Sequence, residues 1–97
     1  MRNPLPAVIL LAFAGLPAAA EGPPPALLAA GCAACHGPAG HSPGTIPAID
    51  TLDAAALAEK LNGFRAGTLE ATVMTRIAKG FTEDEIAAMS DYIAGLH

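Results

Sequence analysis

The only two cysteines of this chain, Cys32 and Cys35, stand three positions apart, and a histidine follows the second at once in "CAACHG". Nothing else in the sequence constrains the fold as strongly. A chain of 97 residues is at most one small domain, and without a staple, a metal or a cofactor it struggles to bury enough apolar surface. The 53% hydrophobic content does not relieve that shortage, because 23 residues are alanine and there is no tryptophan. The motif is therefore where the missing part of the core is expected.

Four chemistries compete for it. A redox-active disulfide of the thioredoxin kind uses Cys-x-x-Cys in a βαβ context, and no strand-like alternation is found here. A plain structural disulfide suits an exported chain but gives the histidine no task. Zinc held by Cys32, Cys35, His36 and His41 has suitable donors, yet adjacent Cys35 and His36 strain a tetrahedral shell. The fourth is attachment of a c-type haem, in which each thiol adds to a vinyl group of the porphyrin and His36 turns its imidazole to the iron. One covalent haem c would also supply the large apolar body that the composition lacks.

The second axial position then decides the chemistry. A methionine thioether closes it and makes an electron carrier with no substrate chemistry of its own, whereas an open position admits small ligands. Apart from Met1 the chain has Met74 and Met89. Met89 falls on the stripe Ile86, Met89, Ile93 and reads as core. Met74 lies 38 residues beyond His36, far enough to return on the other face of a haem, and is the expected ligand; its alternative is packing beside Ile77 and Ala78. His41 is too near His36 and His97 is terminal, so both read as solvated side chains. For the second N–H of His36, Pro47 is expected to offer a carbonyl in preference to Pro43, its alternative being a plain turn residue. Arg65 is either a partner for a haem propionate or an ordinary exposed arginine at a helix end.

Residues 1–20 read as an export signal, with Arg2, an apolar run over 7–16 and Ala18-Ala19-Ala20 before cleavage; residues 21–97 are the domain. The apolar run is short for a membrane span, and a periplasmic location with no membrane span after cleavage is expected. Loss of Arg2 changes the formal charge from −4 to −5. No basic cluster suggests nucleic acid, and the acidic balance reads as a contribution to solubility or, alternatively, as suited to a positively charged docking partner.

The fold expected is all-α. A helix over 26–34 leads into the motif, and a loop over 37–47 is rich in Gly and Pro. Thr51 is expected to cap a helix with Leu57, Leu61 and Phe64 on one face, stopping near Gly63 or Gly67. A less regular helix over 69–78, with Val73 and Ile77 on one side, is followed by one opened by Thr82-Glu83-Asp84-Glu85 and closed at Gly95.

"CAACHG" with its Gly/Pro loop, "LAEKLNGFRAGT" and "TVMTRIAKGFTEDEIAAMSDYIA" together resemble class I cytochromes c, in particular the cytochrome subunits of flavocytochrome c sulfide dehydrogenase. The resemblance implies a small cytochrome c fold around one haem, thioether bonds at Cys32 and Cys35, iron ligation by His36 and Met74, and Tyr92 of the last helix packed against the first. It further implies an electron acceptor for a flavoprotein that oxidises sulfide; a free soluble shuttle and a haem-based ligand sensor are the alternatives. Well-known members of that subunit family carry two haem domains, whereas one motif here implies one haem and no internal relay. Leu28 replaces the family's aromatic residue four positions before the first cysteine.

Overall fold

The computed structural model describes residues 2–7 and 22–97, so the expected export signal lies largely outside the described residues. The order of elements is α1 (Pro25–His36), a 3-10 turn (Pro38–Gly40), α2 (Ala54–Ala66), α3 (Met74–Ala78) and α4 (Glu83–Ala94). No strand occurs among the described residues, as the all-α expectation required.

α1 starts on Pro25, at the position where a missing N–H is harmless and the fixed φ suits the helix. Its run of Ala and Leu carries it to His36, two residues past the expected end, so both cysteines and the histidine lie in its last two turns. Asp53, not Thr51, caps α2: its Oδ1 accepts from the Ala56 amide at 2.7 Å, while Thr51 sits in the preceding turn. The helix runs through Gly63 and ends at Gly67, which takes φ 79°. There the Gly67 amide donates to the Phe64 carbonyl and the Thr68 amide to the Gly63 carbonyl, a double closure that needs the left-handed conformation glycine adopts cheaply.

α3 departs from the expectation. The helix predicted over 69–78 is confined to Met74–Ala78, since β-branched Thr72 and Val73 precede it, Val73 holds φ −124° outside the helix, and no side chain caps the start. Val73 and Ile77 accordingly do not share a buried face; they are 55% and 42% exposed, and Ala78 is the buried residue of α3. α4 begins as expected, with the Thr82 Oγ1 accepting from the Glu85 amide at 3.1 Å and the Glu85 Oε1 accepting from the Thr82 amide at 2.9 Å. Glu83, Asp84 and Glu85 lie on the positive end of the helix dipole. Thr82→Ala is expected to cost about 1 kcal/mol, read as a lower urea midpoint at unchanged slope.

α2 packs against α4; α1 lies on α4 and α3 on α2. The core has two adjoining clusters. Ala29, Leu57 and Ile93 form one, with Cys32, Ile49 and Leu52 against it. Leu61, Ile86 and Met89 form the other, with Leu28, Ala58, Met74 and Phe81 around them. The α4 stripe is thus a buried face with Met89 fully buried, and of the α2 stripe Leu57 and Leu61 are buried while Phe64 is only partly so. Tyr92, 38% exposed, lines a cavity of about 220 Å³ together with Ala26, Ala29 and Ala30 of α1.

Candidate functional site

The chain places His36 at the very end of α1, where its ring leaves the helix and meets the loop. His36 Nδ1 lies 2.6 Å from the carbonyl oxygen of Pro47. A carbonyl only accepts, so Nδ1 carries the proton and Nε2 presents its lone pair, the tautomer a metal-binding imidazole requires. Pro47 is the loop residue expected for this contact. The loop that carries it is closed by the Gly40 carbonyl, which accepts from the amides of Ile49 and Asp50 at 2.9 and 3.2 Å. Gly40 has φ 79°, and a Cβ there would stand 2.8 Å from Ile49 Cγ1, so the closure depends on glycine.

Cys32 is half-buried against the first core cluster and Cys35 is exposed, and no disulfide joins them. Burial pushes the Cys32 thiol above its ordinary value, outweighing a backbone hydrogen bond that acts the other way. A redox-active Cys-x-x-Cys needs the opposite shift and a strand-containing context, so the thioredoxin reading fails on both counts. The zinc reading fails on donor placement. His41 Nδ1 points to Asp50 rather than to the cysteines, and no group of three or more His, Cys, Asp or Glu side chains suited to a metal occurs among the described residues.

Met74 is the first residue of α3, half-buried against Leu61, Ile86 and Met89. It is the one of the two candidate methionines with part of its side chain accessible. Arg65 is engaged locally: its Nε donates to the Phe81 carbonyl at 2.9 Å and its Nη1 lies 3.7 Å from Glu83. His97 is an exposed terminal residue, as expected. The residue that reading the sequence missed is Asp50, whose carboxylate accepts from His41 at 2.9 Å. The two stand nine positions apart across a Gly/Pro loop, so no periodicity announces them.

These residues fit a haem. The two thiols are one helical turn apart and half-buried or exposed, and the neighbouring imidazole is held in the required tautomer. Ile46, beside Pro47, and Leu69, Val73 and Ile77, around Met74, are all 38% exposed or more. A large apolar plane set between those segments would remove them from water, which a core this small needs.

Residues 23–97 match the family model described as cytochrome c. The chain is 37% identical over 72% of its length to the cytochrome subunit of sulfide dehydrogenase from Chlorobaculum tepidum, covering 64% of that protein. It is 36% identical over 67% of its length to the thiosulfate dehydrogenase electron acceptor of Stutzerimonas stutzeri and 35% identical over 68% to cytochrome c4 of Azotobacter vinelandii. The chain therefore spans just under two thirds of the first of these relatives and about a third of the other two, 32% and 34%.

Proposed function

The chain belongs to the cytochrome c family, and on that premise we propose that it is a periplasmic one-electron carrier that takes electrons from a sulfide-oxidising flavoprotein subunit. Membership carries a covalently bound haem c and the role of electron carrier. Within that role, Cys32 and Cys35 would hold the haem through thioether bonds, and His36 and Met74 would bind its iron. The observation that carries this assignment is the hydrogen bond from His36 Nδ1 to the Pro47 carbonyl, which frees Nε2 for iron. The haem supplies a one-electron iron couple, and a thioether in the sixth position favours the reduced state.

The protein's own residues orient and shield. Pro47 fixes the His36 ring, the Leu61, Ile86 and Met89 cluster backs Met74, and Cys32 ties the site to the Ala29, Leu57 and Ile93 cluster. Residues 1–20 direct export and residues 21–97 form the working domain. No helix of the described residues is long and apolar enough to cross a membrane. The flavoprotein partner is supported by the likeness to a relative named as a sulfide dehydrogenase subunit, and the net negative charge suits a positive docking surface.

A second reading, a free shuttle between redox complexes, is favoured by the likeness to a relative named as an electron acceptor. Affinity purification of the tagged protein from the periplasmic fraction of its own cells separates them. A co-purifying flavin-containing chain is the expected result; a monomer with no flavin absorbance would replace the first reading with the second. A ligand sensor would bind carbon monoxide readily in the reduced state, whereas a methionine-closed iron resists it.

A further inference from the structure

We infer that His41 and Asp50 are positioning residues for the haem iron, acting through the loop that presents the Pro47 carbonyl to His36. This inference rests on the axial role proposed for His36. The segment 40–50 leaves the end of α1 and returns to the same place. Its neck is closed by the Gly40 carbonyl, which holds the Ile49 and Asp50 amides, and by the side-chain bond from His41 Nδ1 to Asp50 Oδ2 at 2.9 Å.

Between these closures, residues 42–48 make few polar contacts of their own. The Gly44 amide donates to Ser42 Oγ at 3.3 Å inside the loop, and the Pro47 carbonyl accepts from His36. Pro47 is thus held from the neck three residues away and touches the site at one atom. The Asp50 side chain is 19% exposed and that of His41 is 80% exposed, so the pair contributes little to stability as a surface ion pair. Its position at the neck gives it another consequence, control over how closely the Pro47 oxygen approaches the ring proton. A closer approach makes the imidazole more basic and favours ferric iron; a looser one favours ferrous iron.

His41→Ala tests this in the haem-loaded protein, because an exposed side chain is removed at little risk to folding. The reduction potential is expected to rise by about 28 mV, a threefold change in the ferric/ferrous equilibrium at about 59 mV per decade. In the reduced protein, NMR is expected to show the His36 Nδ1 proton exchanging with solvent about threefold faster, as weaker hydrogen bonding allows. Asp50→Ala should move both quantities in the same direction, and His41→Gln, which keeps a donor, should restore part of each. An unchanged potential and exchange rate in both alanine variants would reduce the pair to a loop-stabilising contact and overturn the inference. A further variant keeps the two levels apart: a visible spectrum of His36→Ala identical to that of the wild type would remove His36 from the iron and overturn the underlying assignment, whereas an altered spectrum upholds it and leaves the alanine variants of His41 and Asp50 to decide this inference.

Discussion

Met74→Ala is expected to lower the reduction potential of the haem by on the order of 0.1–0.3 V, within the ~0.8 V that axial ligation spans across haem proteins. The thioether stabilises ferrous iron; water or an open position in its place does not. The reduced variant is expected to bind carbon monoxide readily and the wild type to resist it. The fold survives, because Met74 is half-buried at the edge of its cluster, on a helix of five residues that contributes one buried residue, Ala78. A potential unchanged by this substitution would remove Met74 from the iron.

Met89→Ala has the complementary effect. Its side chain is fully buried between Leu61 and Ile86, so truncation leaves a cavity and costs about 2–5 kcal/mol. For a domain this small that is a large share of the total stability. The urea midpoint falls sharply, while the potential and the resistance to carbon monoxide stay those of the wild type. Reversed outcomes for the two methionines would exchange their roles.

The two methionines also show what a sequence of this kind discloses. Met89 was legible because α4 is long, capped by Thr82 and Glu85, and periodic enough that Ile86, Met89 and Ile93 must face one way. The α2 stripe through Leu57 and Leu61 was legible for the same reason. The segment before Met74 was not, because short polar and β-branched residues give no period, and the expected helix over 69–78 shrank to its last five residues. The cap of α2 moved from Thr51 to Asp53 because both residue types cap well and only the backbone path chooses between them.

At the site itself, the Cys32, Cys35 and His36 spacing identified the chemistry, and the Pro-rich loop identified Pro47 as the source of the carbonyl. The His41 and Asp50 closure was illegible, since it depends on the left-handed turn at Gly40 bringing two distant loop positions together. Loop geometry of that sort has no repeat to read. Arg65 bonds to the Phe81 carbonyl and lies beside Glu83, contacts across 16 and 18 residues that periodicity does not reveal.

The central claim is that a porphyrin is tethered to this chain through two sulfurs beside its proximal imidazole. Its most direct test is the mass of the protein under denaturing conditions, after export from cells able to mature c-type cytochromes. The expected mass is that of the polypeptide plus one haem, with the added mass retained in acid and lost when Cys32 and Cys35 are both changed to serine. A denatured mass equal to that of the amino acids alone, on protein from those same cells, would contradict it.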